Sequence, residues 1–144
     1  MLNRKSLDMV FNRVLMSSQH TKLAKDIDPS TMQEVTTVIG REYVELEFVA
    51  LSYMNDKLWM LICTDDLYWM NESGLHSVSV SSLSFVKGEL DVNADLGFSI
   101  KEGMKYMTLG LVNGDTYHVQ TEPGSSFDAM QSVISRIIYA HQNC

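Results

Sequence analysis

Cysteine is scarce in this chain: Cys63 and Cys144 are the only two among 144 residues. Cys63 ends the apolar run Leu58-Trp59-Met60-Leu61-Ile62-Cys63, and Cys144 is the last residue. Two thiols so placed make no disulfide framework. They suit a reducing compartment, where a cysteine behaves as a small apolar side chain. No window approaches the roughly 18 uncharged apolar residues that a membrane span requires. Arg4 and Lys5 open the chain as an export signal would, but Asp8, Asn12 and Arg13 interrupt what should follow as an apolar stretch. The expected compartment is the cytoplasm.

Positive charge is also in short supply. Eleven Lys and Arg stand against 18 Asp and Glu, a net charge of -7. Nucleic-acid binding needs clustered cations that displace counterions from phosphates, so a nucleic-acid partner is not expected. The imbalance is uneven. Residues 1–30 hold five Lys/Arg against three Asp, a balance of +2, whereas residues 31–144 hold six against fifteen, a balance of -9. Such an acidic body keeps a protein dispersed, and it also suits a basic protein partner.

Signatures of catalysis and cofactor binding are missing as well. There is no Gly-x-Ser-x-Gly elbow, no Gly-x-Gly-x-x-Gly loop, no Cys-x-x-Cys and no His-x-x-x-His. His20, His76, His118 and His141 are far apart in sequence, although His76 and His118 both fall in expected strands. Asp65-Asp66, Asp91 and Asp95 lack the twelve-residue calcium-loop spacing and read as turn residues. Glu45 and Glu47 share one strand face, as solvated strands often do. Neither an enzyme nor a metal or cofactor site is expected.

What is present is periodicity. Leu7, Val10, Phe11, Val14 and Leu15 recur at helical spacing, with Arg4, Asp8, Asn12 and Arg13 mostly off that stripe. Ser6 is the candidate N-cap, and the helix ends near Ser17-Ser18 or runs on to about Lys25. Asp28-Pro29 stops it, and Ser30 caps a short second helix through Gln33 and Glu34. After Gly40 the period becomes 2. Val44, Leu46 and Phe48 alternate with Tyr43, Glu45, Glu47 and Val49 as a half-buried strand.

Asn55-Asp56, Asp65-Asp66 and Asn71-Glu72-Ser73-Gly74 are turn signals. They separate strands over Lys57–Cys63, Leu67–Met70 and His76–Val80, with a looser one at Leu83–Val86. Val92 and Gly97–Ile100 are weaker edge candidates. Lys105–Val112 and Asp115–Thr121 flank Asn113-Gly114, a pair that favours a type I′ hairpin. Pro123-Gly124 ends the strands, and Ser125 with Asp128 makes a capping box. The closing helix, 125–142, carries the stripe Phe127, Met130, Ile134, Ile137, Ile138 and His141, with Val133 beside it.

About seven short strands closed by one C-terminal amphipathic helix resemble the pleckstrin-homology superfold, in its bacterial and GRAM-like branches. Leu58–Met70 and His76–Phe85 carry the resemblance: an apolar strand, an acidic turn, Leu67-Tyr68-Trp69, a Gly-containing turn, then Ser-Val-Ser-Val-Ser-Ser-Leu. It covers residues 43–142. It implies an α+β fold, an antiparallel barrel or sandwich closed by that helix, with an added N-terminal helix. The organisation is a helix and linker over 1–29 and a domain over 30–144, in one compact unit. It also implies a non-catalytic protein-binding or scaffolding module. Phosphoinositide-binding members place several Lys/Arg in the first strands and the loop between them. Here that loop offers Asn55, Asp56 and a single Lys57, beside Glu45 and Glu47, so a lipid ligand is not expected.

Two sets of residues stand out as candidate partner-binding groups. One is the helical stripe Leu7, Val10, Phe11, Val14 and Leu15, which needs an apolar partner in its own sheet, in a second copy or in another protein. The other is Trp59, Tyr68 and Trp69, on neighbouring strands, which form either a core cluster or a peptide groove. Ser77, Ser79 and Ser81 share one strand face opposite Val78 and Val80, as a solvated face or a polar rim for an added strand. An acidic secretion chaperone or toxin-neutralising protein is the competing reading. A secretion chaperone would be expected to carry a helix between its third and fourth strands, and residues 72–122 show no helical period.

Overall fold

The computed structural model describes residues 21–40, 47–90, 104–122 and 125–142. Among them run β1 (Thr21–Leu23), α1 (Pro29–Ile39), β2 (Phe48–Asn55), β3 (Leu58–Cys63), β4 (Asp66–Asn71) and β5 (Gly74–Ser79). Then follow β6 (Leu83–Leu90), β7 (Met104–Leu111), β8 (Thr116–Gln120) and α2 (Ser125–Gln142). The strands form two antiparallel sheets, ordered β1-β2-β3-β4-β5 and β6-β7-β8. The α+β class is as expected.

Asparagine shapes three of the hairpins in one way. The Oδ1 of Asn55 accepts the Lys57 N–H at 2.8 Å, that of Asn71 the Ser73 N–H at 2.9 Å, and that of Asn113 the Asp115 N–H at 2.9 Å. Each side chain thus closes a local turn that the backbone alone would leave open. The expected type I′ turn at Asn113-Gly114 is corrected, because no non-glycine residue described has positive φ. Instead the Gly114 N–H reaches the Leu111 carbonyl and the Leu111 N–H reaches that of Asp115. The loop therefore holds three residues, and only Gly114, at φ 96°, needs the left-handed region.

Strands β2–β4 of the five-stranded sheet are buried on both faces over most of their length. Register places Met60 opposite Trp69 and Ile62 opposite Leu67 on the inner face, while Trp59 opposes Met70 and Leu61 opposes Tyr68 on the outer one. Inner residues join Met107, Leu109 and Val119 of the second sheet and the stripe Phe127, Met130, Val133, Ile134, Ile137 and Ile138 of α2. Outer residues Phe48, Leu51, Trp59, Leu61, Cys63 and Tyr68 pack with Ile27 and Val35, with Met32 and Ile39 of α1 beside them. A helix thus lies on each side of this sheet. That is why β2 and β3 carry continuous rather than alternating apolar residues.

Four expectations need correction. The second helix is neither short nor capped by Ser30: Asp28 is its N-cap, Pro29 its first residue, and Gly40 its left-handed C-cap at φ 81°. Proline fits there because the first turn has no partner for its missing N–H. Residues 21–25 are not helical, since β1 and the 3-10 turn Ala24–Asp26 occupy them. Part of the segment assigned to the N-terminal helix and linker is therefore a strand of the sheet. Phe48 and Val49 of the strand expected over 43–49 belong to β2, which continues to Asn55 and is at first buried on both faces rather than half-buried. Residues 43–46, and the candidate strands at Val92 and 97–100, lie outside the described residues.

Closure into a barrel is the fourth. Among the described residues no ladder joins the two sheets. One corner is turned by the 3-10 segment Val80–Ser82, with the Val80 N–H on the Asp65 carbonyl. The other is clasped by side chains: the Thr21 hydroxyl donates to Glu122 Oε1 at 2.7 Å, and the Glu122 N–H to Ser52 Oγ at 3.3 Å. The result is a sandwich of four meandering strands, β2–β5, with β1 added at their edge. The three strands β6–β8 and the closing α2 complete it, an arrangement compatible with a pleckstrin-homology-like sandwich.

Candidate partner-binding surface

The aromatic candidates do not share a surface. Trp59 and Tyr68 lie on the outer face of the five-stranded sheet, in the cluster beneath α1, and Trp69 lies on the inner face. All three are buried, at 2%, 7% and 3% exposure. The peptide groove considered for them is thereby corrected to two separate cores, because neighbouring positions on a strand point to opposite faces. The other candidate stripe, Leu7, Val10, Phe11, Val14 and Leu15, lies outside the described residues.

The histidines do not converge either. His76 stacks on Trp69 with ring centroids 5.6 Å apart, and its Nε2 meets Ser73 Oγ at 2.7 Å and Asn71 Oδ1 at 3.3 Å. His118 turns to the other side of the smaller sheet, where its Nδ1 meets Thr108 Oγ1 at 3.2 Å. His141 Nε2 sits 3.3 Å from the Thr64 carbonyl and 3.9 Å from Asp65 Oδ1. No group of three metal-ligating side chains occurs among the described residues.

One candidate surface lies at the end of the larger sheet. Among the described residues β5 is the terminal strand, paired only with β4 through the register Asp66–Ser79 to Asn71–Gly74. Ser77 and Ser79 are exposed, as expected from their alternation with buried Val78. Leu75 is 38% exposed on the same side, opposite Met70. On the inner side, Tyr117 is 39% exposed and meets the edge of Trp69 at 5.4 Å, so Trp69, His76 and Tyr117 form an aromatic wall.

The stretch of chain that forms this end carries Asp and Glu but no Lys or Arg. No Lys or Arg occurs between Lys57 and Lys87, an interval that holds Asp65, Asp66 and Glu72. That gap was legible as a sequence feature, whereas the exposure of Leu75 and the position of Tyr117 were not. Across the sheet, α1 is tied down by the Tyr53 hydroxyl, which donates to Glu34 Oε2 at 2.7 Å. Burial first, then that hydrogen bond and the charges of Glu34 and Asp56, push the Tyr53 hydroxyl up to about 12.

No family model matches the chain, and no curated protein matches it. No helix among the described residues is long and apolar enough to cross a membrane.

Proposed function

We propose that this chain is a non-catalytic protein-binding or scaffolding module of pleckstrin-homology-like architecture. The observation that carries the reading is the element order: the meander β2–β5, then β6–β8, then α2 laid against both sheets through its apolar stripe. Charge supports a protein rather than a lipid as ligand. The loop between the first two strands of the meander offers Asp56 and one Lys57, where a phosphorylated headgroup would need several cations.

The test is affinity capture with the full chain from its native cells, read for a stoichiometric protein partner. Sedimentation with anionic phospholipid vesicles runs in parallel. A stoichiometric partner with no vesicle binding is the expected result. Strong vesicle binding without a partner would overturn the reading.

A further inference from the structure

We propose that the open edge of β5 takes an extended, basic-ended segment of a partner protein as an added strand, an inference that rests on the protein-binding reading above. The first ground is the edge itself. β5 has a neighbour only on the β4 side, so the outer row of its N–H and C=O groups has no strand partner among the described residues. Proteins usually guard such an edge with lysine, proline, a bulge or a covering element. Gly74–Ser79 carries no charged residue and no proline, and its register with β4 is unbroken.

The other edges differ. β1 is three residues long and exposes Lys22. β6 exposes Lys87, and its Ser84 carbonyl already accepts the Gln142 side-chain amide at 3.1 Å. β8 runs into the corner where Glu122 is held by Thr21 and Ser52.

The second ground is charge. Glu72 stands at the hairpin tip before Gly74, and Asp65 and Asp66 stand at the Ser79 end, where Asp66 is the register partner of Ser79. Six extended residues span roughly 17 Å, so Glu72 at one end and the exposed Asp65 at the other flank an uncharged strand-length platform. His141, which is cationic only when protonated, stands 3.9 Å from Asp65. A segment with Lys or Arg at both ends and an uncharged centre complements this layout. A second copy does not: two β5 strands paired antiparallel about a two-fold axis would set Glu72 of each against Asp65 of the other. Side-chain specificity would come from Leu75, Ser77 and Ser79 on one side and His76 with Tyr117 on the other.

The test uses fluorescence anisotropy of the full chain with labelled ten-residue peptides. Their Val/Thr-alternating cores are flanked by Arg, flanked by Glu, or flanked by Arg and interrupted by Pro. The Arg-flanked peptide should bind about tenfold or more tighter than the other two, with affinity falling as salt rises. Ser77→Lys, which guards the edge without touching the core, should weaken binding about tenfold or more, and Glu72→Lys should weaken it and flatten the salt dependence. Val38→Ala, on the exposed side of α1, should change nothing. Slowed amide exchange in β5 should localise the peptide.

Equal binding of all three peptides, no binding of any, or full binding by folded Ser77→Lys protein would overturn the inference. Concentration-dependent dimerisation abolished by Ser77→Lys would overturn it in favour of a second copy. A stoichiometric native partner still captured by Ser77→Lys protein would sink the edge assignment alone and leave the protein-binding reading standing. Loss of that partner in the same variant supports both.

Discussion

Phe85 and Gly110 face each other across β6 and β7, and the phenyl ring occupies the place where a Cβ on Gly110 would have to sit. Gly110 is buried, and it is not among the glycines at positive φ, so glycine is required there for space rather than for backbone freedom. The ring is 43% exposed and covers the outer face of the smaller sheet at that point.

Gly110→Ala should therefore displace the ring and destabilise the protein by about 1–3 kcal/mol. Removing the ring relieves the collision, so Phe85→Ala combined with Gly110→Ala should cost less than the sum of the two single changes. Urea unfolding of the four proteins checks this, and strict additivity would reject the close approach.

Tyr53 and Glu34 supply a pH prediction. Burial and the Glu34 hydrogen bond push the folded hydroxyl up to about 12, above the usual tyrosine value of 10.0, so the neutral form is the one the fold favours. Its contribution is fully present below pH 10 and is lost as pH rises towards 12. Absorbance titration at the tyrosinate band should reveal one late-titrating group that disappears in Tyr53→Phe. At neutral pH the same change should cost about 0.5–1.5 kcal/mol, at the lower end because the bond is exposed.

Trp59 belongs to the outer core, beneath α1. Truncating it to alanine empties the space beneath α1 and should cost about 3–5 kcal/mol. Val38→Ala, on the exposed side of the same helix, should stay within about 0.5 kcal/mol of the parent. Thermal or chemical unfolding of both proteins decides the matter, and a small effect at Trp59 would place it outside a packed interior.

The Thr21–Glu122 contact stands where a barrel would have a ladder. Thr21→Val removes the donor to a carboxylate and should cost about 1.5–3 kcal/mol. Amide exchange should speed up chiefly in β1 and at the end of β8 if that corner opens, and an unchanged pattern would mean the clasp contributes nothing.

Much of this was legible in the sequence. β3, β4, β5 and α2 follow from alternation, turn residues and a helical stripe, because each of those signals is local. The continuous apolar run from Leu58 to Cys63 announced a strand buried on both faces, though not what covers each face. β1 was not legible: three residues carry no period, and Thr21–Leu23 is a strand only because β2 offers it an edge. The Asn113-Gly114 turn was legible as a turn but not in its type, which the flanking hydrogen bonds settled. Of the candidate site, the exposed serines of β5 were visible in advance. Trp59, Tyr68 and Trp69 were readable as a core cluster or a peptide groove, and they lie in two separate interiors.

The amino-acid order alone determined β3, β4, β5 and α2, the acidic charge and the cation-free interval between Lys57 and Lys87, since each depends only on neighbours along the chain. Tertiary structure decided which strand ends its sheet, which face α1 covers and how the corners are held. Those outcomes rest on contacts between residues as distant as Thr21 and Glu122, and no local pattern encodes which of several apolar faces will meet. The open edge of β5 belongs to this second group. Its composition was readable from Gly74 to Ser79, but that no other described strand pairs with its outer side follows only from how those strands used their own edges.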